Sequence, residues 1–156
     1  MLADSMTEFT PRFAGYEKKV RDSFARQPAM ASLGIEIAKV EPGIVELTMP
    51  YNKDFTQQHG FLHAGIVTTA LDSAAGYAAF SLMEEDAAVL TIELKTNLMN
   101  PAAGEHFVFR AKVEKPGRTI TFVNAAAYAI KDGIEKKVAT LSGTMMAVRG
   151  RADIQQ

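Results

Sequence analysis

The chain of 156 residues contains no cysteine, which excludes disulfide bonds, thiol catalysis and metal sites built on cysteine. It also lacks an excess of either charge, because 17 Lys and Arg stand against 18 Asp and Glu. Because positive charge is not in excess, nucleic acid is not expected as a partner. The first residues, MLADSMTEF, carry early acids and no apolar run, so they do not resemble a secretory signal.

Long hydrophobic runs are also scarce, and only residues Ala64–Met83 come close to the length of a membrane span. Asp72 lies at the centre of this run, alanine and glycine dominate it, and no aromatic or basic belt flanks it. Such a helix is better explained as one buried inside a sheet. We therefore expect a cytoplasmic protein without a membrane partner. The length and the 47% hydrophobic content predict a single domain over residues 1–156.

The hydrophobic periodicity divides the chain into helices and strands. Residues 8–32 have apolar side chains at helical spacing after Pro11, which predicts one N-terminal helix. Residues 34–50 alternate about Pro42-Gly43 and predict a β-hairpin. Four further strands are predicted after the apolar run, and the tail from residue 150 is expected to fray. These strands are residues 89–100, 105–114, 119–130 and 135–149.

The connections between these strands are too short to hold crossover helices, so the sheet must be antiparallel. The apolar run then supplies one long helix, which we expect to start near His63 or Ala64 and to end near Met83. The predicted fold class is α+β. Its core, residues 33–149, is an antiparallel sheet of five to six strands wrapped around a central helix, preceded by an N-terminal helix.

Asp72 is the residue of the central helix that most needs an explanation. A buried charge is unfavourable by several kcal/mol unless it is partnered or neutralised. Gly65 and Gly76 lie on the same helix face as Asp72, so a strand, another helix or a ligand could approach it closely. The helix start leaves free N–H groups and a positive dipole end, which suit a developing oxyanion. With Asp72 as a base and the Ala64 N–H as a donor, the groups needed for acyl hydrolysis are present.

The spacing of these two groups limits how they can act together. Ala64 and Asp72 are eight residues apart, which is about 12 Å along a helix. Both groups would have to lie about 3 Å from the reacting carbonyl or its attacking water. One chain cannot achieve this. We therefore predict an obligate homodimer with antiparallel central helices and two composite sites.

The residues at this point resemble a known family. His63-Ala64-Gly65 followed by Leu71-Asp72 is similar to the signature of hotdog-fold acyl-CoA thioesterases of the phenylacetate-pathway, or PaaI-like, type. The resemblance covers about residues 33–149 and includes the segment 91–102 and the turn 117–118. The family more often has glycine at the position of Ala64. Alanine keeps the N–H, although its methyl group could narrow the pocket.

The resemblance implies hydrolysis of acyl-CoA to free acid and CoA without a cofactor, and it implies roles for individual residues. Asp72 would be the general base or the nucleophile, and the Ala64 N–H would hold the thioester oxygen. Gln57 would form a hydrogen bond near the thioester or the water, and Thr91 would position the water beside the acid. The family's dimers usually pair into tetramers, so a dimer of dimers is expected. The implied substrate-binding residues are His63, Gly65 and Arg118, with Arg118 preferred for the CoA phosphates over Lys95, Arg110 and Lys112.

Simpler interpretations of the same residues remain open. Asp72 could be a structural acid, Gln57 a polar loop residue and Thr91 an ordinary strand residue. The His63 ring could bond only to backbone at the helix start. A metal site at His59 and His63 is not expected, since no third ligand is apparent. The alternative functions are a non-catalytic acyl-CoA-binding or regulatory module and a hotdog hydratase or dehydratase, which typically pairs Asp with His in a motif absent here.

Overall fold

The computed structural model describes residues 9–156, so residue 8 of the predicted N-terminal helix lies outside the described residues. A short 3-10 turn, Lys53–Phe55, lies between the second strand and the third helix. The helices are α1 (Tyr16–Ala25), α2 (Pro28–Leu33) and α3 (Ala64–Phe80). The strands are β1 (Glu36–Glu41), β2 (Ile44–Pro50), β3 (Ala88–Leu98), β4 (His106–Lys115), β5 (Ile120–Lys131) and β6 (Ile134–Val148).

The six strands form one sheet in the order β1-β2-β4-β5-β6-β3, and every neighbouring pair is antiparallel. The predicted α+β architecture is confirmed, with α3 packed across the sheet. Alternation of apolar residues decides which sheet face meets the helix. Phe107 and Phe109 of β4 and Leu141 of β6 are buried there against Leu71 of α3.

The N-terminal helix is not continuous, which corrects the prediction of one helix over residues 8–32. The chain forms α1 and α2, separated at Arg26 and Gln27. Pro28 is the physical reason, because it has no N–H and disfavours a helical conformation at the preceding residue. Gln27 accordingly adopts an extended conformation with φ −85° and ψ 103°, and Pro28 begins α2 at a position that suits proline.

The central helix starts at Ala64 as predicted but ends at Phe80, three residues before Met83. Ser81 terminates it with a buried hydroxyl that donates to the Ala78 carbonyl at 2.7 Å and accepts from the Gly43 N–H at 2.8 Å. The helix end is thereby fixed to the β1–β2 turn. Within residues 9–156, no helix has the length and hydropathy needed to cross a membrane.

β3 is an edge strand whose apolar side chains are exposed in the single chain. The alternating sequence correctly predicts the strand, but a β-bulge between Thr91 and Glu93 shifts the register against β6. An exposed apolar edge strand can pair with another chain, because its outer N–H and C=O groups have no neighbouring strand. The exposed side chains and their exposed fractions are Leu90 (40%), Ile92 (51%), Leu94 (37%) and Leu98 (60%).

Lys19 connects α1 to the end of α3. Its ammonium group donates to the carbonyls of Met83 and Glu84 at 3.0 and 2.8 Å and lies 4.1 Å from the centroid of the Phe80 ring. Burial lowers the pKa of Lys19 to about 8, against the opposing influence of the acidic residues 84–86. The charged side chain is therefore partly desolvated in this contact.

The lowered pKa predicts a pH dependence of stability. Between about pH 8 and the ordinary lysine pKa of 10.5, the unfolded chain keeps the Lys19 proton while the folded chain has released it. The free energy of unfolding of the natural chain should therefore rise with pH in this window, relative to that of Lys19→Met. Urea unfolding of both proteins near pH 7.5 and near pH 10 measures the difference. A difference that stays constant or falls would contradict the prediction.

Gly76 lies within α3 with free space around it, because an added Cβ atom would meet no heavy atom within 4 Å. Glycine in a helix interior is less favourable than alanine by about 0.5–1 kcal/mol. Gly76→Ala should therefore raise the free energy of unfolding by about that amount in denaturant titrations. Gly65→Ala is the matched control, since its Cβ would lie 3.3 Å from the His63 ring and should give no comparable gain. Destabilisation by Gly76→Ala would show that another chain fills this space.

Candidate active site

The first turn of α3 begins at His63, which is the N-cap of the helix. Its ring nitrogen Nδ1 accepts the Gly65 N–H at 2.9 Å, and its carbonyl accepts the N–H groups of Ile66 and Val67. The His63 backbone is extended, with φ −60° and ψ 138°. The ring thus bonds to backbone, as the structural interpretation of this residue expected. This cap satisfies one of the free N–H groups at the helix start.

The Ala64 N–H is left open by this arrangement. Within residues 9–156 it has no acceptor, although it stands at the positive end of the helix dipole. Ala64 lines a cavity of about 370 Å³ together with Gln57. The other walls of this cavity are mostly apolar: Phe61, Leu62, Val67, Leu98, Met99, Pro101, Ala102, Val138 and Ala139, with Asn100 as a polar member.

Gln57 is held in position by a tight turn that precedes the helix. Its N–H donates to the Phe61 carbonyl at 2.9 Å, its carbonyl accepts the Gly60 N–H at 3.0 Å, and its side-chain Oε1 accepts the His59 N–H. Gly60 adopts φ 82°, a conformation that glycine accommodates without strain. Oε1 is thus already used as an acceptor, and the Nε2 group of Gln57 can donate to a ligand.

Asp72 has a specific partner on the edge strand. The Thr91 hydroxyl donates to Asp72 Oδ1 at 2.7 Å and also lies 3.2 Å from the Met145 sulfur. A hydrogen bond of this length to a carboxylate fixes the orientation of the acid. The resemblance implied that Thr91 positions a water beside the acid, whereas the structure brings the two side chains into direct contact. The second carboxylate oxygen, Oδ2, has no partner within the described chain.

Asp72 and Thr91 line a second cavity, of about 260 Å³, whose other walls come from several elements. The buried Tyr77 hydroxyl lies 3.0 Å from the Ser23 hydroxyl and accepts from Gln27 Nε2 at 3.3 Å. Gln27 Oε1 in turn accepts from the Ser73 hydroxyl at 3.3 Å. This network ties α1 and the α1–α2 junction to α3 next to the acid. The remaining walls of the cavity are Gly76, Val89, Leu90 and Gln156.

The structure therefore brings the predicted residues together in two groups. Ala64 and Gln57 share one cavity, and Asp72 and Thr91 share the other. The groups are separated by two turns of α3, about 12 Å. An unpaired helix-start N–H and a carboxylate thus exist within residues 9–156, but not around a single point. Each cavity contains only one of these two kinds of group.

The other two predicted substrate-binding residues, Gly65 and Arg118, line neither of these cavities. Gly65 is exposed at the helix start beside His63. Arg118 is exposed in the β4–β5 turn and lines neither cavity, while its carbonyl accepts from Arg149 at 2.6 Å. Arg110, one of the alternatives for phosphate binding, is instead paired with Glu46 and Glu135. The Glu135 carboxylate raises the pKa of Arg110, so this cation is already neutralised by protein partners.

Sequence analysis missed three polar residues of the Asp72 cavity. Ser73 and Gln27 come together because the α1–α2 junction lies against α3, and Pro28 was the one signal of a break at that place. Gln156 belongs to the tail that was expected to fray, and nothing in its local sequence indicated a role. In residues 9–156, no three side chains of the kinds that bind metals lie close enough to hold an ion.

Comparisons with known proteins show which family the chain is similar to. Residues 59–136, half of the chain, match the family model described as the thioesterase superfamily. A thioesterase family protein of Silicibacter pomeroyi is 65% identical, with a TM-score of 0.86 over 87% of this chain and 100% of that one. Human acyl-coenzyme A thioesterase 13 is 30% identical over 91 residues, which are 58% of this chain and 64% of the human one.

The PaaI protein of the Escherichia coli phenylacetic acid degradation operon has the same fold. Its TM-score is 0.77 at 20% identity, over 86% of this chain and 94% of that one. The predicted resemblance to hotdog thioesterases is confirmed by these matches. The chain belongs to the thioesterase superfamily and has its hotdog fold.

Proposed function

We propose that this protein hydrolyses acyl-CoA thioesters to the free acid and CoA. The observation that carries the proposal is the open Ala64 N–H at the start of α3, in a cavity shared with the Gln57 amide. An unpaired donor at the positive end of a helix suits the oxygen of a thioester that becomes an oxyanion. Family membership makes thioester hydrolysis the reaction class, and similarity to an acyl-coenzyme A thioesterase supports CoA as the thiol.

The active form in this proposal is a homodimer with two composite sites. The Ala64 cavity of one protomer faces the Asp72 cavity of its partner, because antiparallel α3 helices would superpose a helix start on a helix middle. The exposed apolar side chains of β3 support such pairing, since an edge strand next to the site offers both backbone and apolar contacts. Association of two such dimers into a tetramer remains part of the proposal.

The reaction would proceed with Asp72 as a general base. A water molecule bound to Oδ2 loses a proton to the carboxylate as its oxygen attacks the thioester carbon. The Ala64 N–H and Gln57 Nε2 of the opposite protomer donate to the carbonyl oxygen while it carries the negative charge. The carbon–sulfur bond then breaks, and the proton held by Asp72 passes to the departing CoA sulfur. The products are the carboxylic acid and the CoA thiol.

Two further residues act by positioning in this scheme. Thr91 orients the acid by occupying Oδ1, which leaves Oδ2 directed to the water. His63 occupies the Gly65 N–H, which leaves the neighbouring Ala64 N–H as the available donor. Arg118 is proposed for the CoA phosphates because it is an exposed cation in the turn that the resemblance singled out.

Replacement of the acid gives the first test. Asp72→Asn keeps the shape of the side chain and its contact with Thr91 but cannot accept the proton of water. We expect kcat for acyl-CoA hydrolysis, followed by release of the CoA thiol, to fall by about 10²–10⁴-fold. The oligomeric state, measured by light scattering, should not change.

Asp54→Asn is the matched control, because Asp54 is exposed in the turn before the site. It should retain full turnover. Full turnover in Asp72→Asn would overturn the role of Asp72. If the natural chain binds acyl-CoA in calorimetry without releasing thiol, it is a binding module and the proposed activity is wrong.

The oxyanion donor can be removed with little disturbance to the helix. Ala64 is the first helical residue, where proline is well tolerated, and the extended His63 before it is compatible with a following proline. Ala64→Pro replaces the N–H by a ring carbon that cannot donate, and we expect kcat to fall by about 10²–10³-fold. Thermal unfolding should show that the fold is retained.

The composite site predicts complementation between these two variants. A heterodimer of one Asp72→Asn protomer and one Ala64→Pro protomer contains one site with both natural groups and one with neither. Co-expression with two affinity tags isolates this species, and it should have half the turnover of the natural dimer. A heterodimer as inactive as the two parent variants would show that the groups act within one chain.

A further inference from the structure

We propose that the segment after β6 forms the end wall of the acyl cavity and limits the length of the acyl group, with Gln156 and Arg26 as its specificity-determining residues. The inference rests on the proposed function, since it assigns the cavity beside Asp72 to the acyl group. Gln156 lines that cavity and comes from neither α3 nor the sheet.

The two cavities differ in the exposure of their lining residues, and this difference decides which part of the substrate each one receives. The CoA nucleotide is too large to be enclosed, so the thiol arm must leave through an open rim. Met99 at the Ala64 cavity lies just beyond the end of β3, is 55% exposed and provides such a rim. The Asp72 cavity is instead backed by Tyr77, which is 2% exposed. The acyl group therefore enters the Asp72 cavity.

The path of the acyl group beyond Asp72 follows α3. Gly76 lies one turn further along the helix, and the absence of a side chain there leaves open space. A cavity of about 150 Å³ is enough to bind benzene. The Asp72 cavity, of about 260 Å³, accordingly has room for an aromatic ring or a chain of moderate length. A longer chain would reach Gln156.

Gln156 is held in place by contacts on both sides of the cavity. Its side-chain Oε1 accepts the Val89 N–H of the edge strand at 3.0 Å, and its main-chain oxygen accepts from the Arg26 guanidinium. Arg26 also donates to the Asp22 carbonyl at the end of α1, at 3.0 Å. The segment thus bridges α1 and β3 rather than fraying as its sequence suggested. The hydrogen bond from Val89 is partly buried and the one from Arg26 is exposed. The wall formed by Gln156 is therefore easier to displace than the walls formed by α3.

The test uses straight-chain thioesters from butanoyl-CoA to dodecanoyl-CoA with the natural full chain. We expect kcat/KM to fall from the middle of the series to dodecanoyl-CoA. Arg26→Met releases the Gln156 main chain, and Gln156→Ala removes the side chain and its bond to Val89. Each variant should raise the ratio of kcat/KM for dodecanoyl-CoA to that for hexanoyl-CoA about tenfold, the gain expected from burying about two more methylene groups.

Arg21→Met is the matched control, because Arg21 is on α1, which ends next to Arg26, and within residues 9–156 it pairs only with Glu17 at the surface. Its length profile should equal that of the natural chain. A natural chain that hydrolyses dodecanoyl-CoA as well as hexanoyl-CoA, or an unchanged ratio in both Arg26→Met and Gln156→Ala, overturns this inference alone. Absence of turnover with every thioester overturns the proposed function and this inference together.

Discussion

The position of one carboxylate in an otherwise apolar helix is the constraint on which the rest of the structure depends. Asp72 lies midway along α3, whose other faces are buried by the sheet. An ionised acid cannot be placed in a dry core without a large loss of stability. The fold meets this condition by leaving one face of α3 open, with Gly76 in place of a larger residue and Thr91 as the hydrogen-bond partner. The same opening that stabilises the acid gives a ligand access to it.

α3 holds Asp72 about two turns away from the N–H of its first residue, Ala64, which is unpaired in the described part of the chain. An oxyanion donor belongs at a helix start, where N–H groups are free, and a base can lie at any point along the helix. Under the proposed function, placing the two groups about two turns apart means that neither cavity is sufficient alone. The exposed apolar side chains of β3 lie next to Asp72. A second chain bound at this surface could cover these side chains, pair with the edge strand and add its own groups to the site. Formation of the proposed dimer would then complete both active sites.

α1, the α1–α2 junction and the segment after β6 shape the cavity beside Asp72. Gln27 reaches Ser73 and Tyr77 from the junction that Pro28 creates, and Gln156 closes the opposite side. Lys19 fixes α1 to the end of α3 at the expense of partial desolvation.

The sequence by itself determined the elements, the antiparallel sheet, the start of the helix at Ala64 and the family, because these follow from local periodicity, turn residues and the spacing from His63 to Asp72. It also indicated which residues could be donor and base. Only the tertiary structure decided that Thr91 bonds directly to Asp72, that β3 leaves apolar residues exposed, and that Gln156 reaches the cavity of the acid. These features depend on contacts between residues far apart in the chain, such as Thr91 with Asp72 and Gln156 with Arg26. Local sequence patterns carry no record of such contacts, since each partner would be equally acceptable as a solvated polar residue.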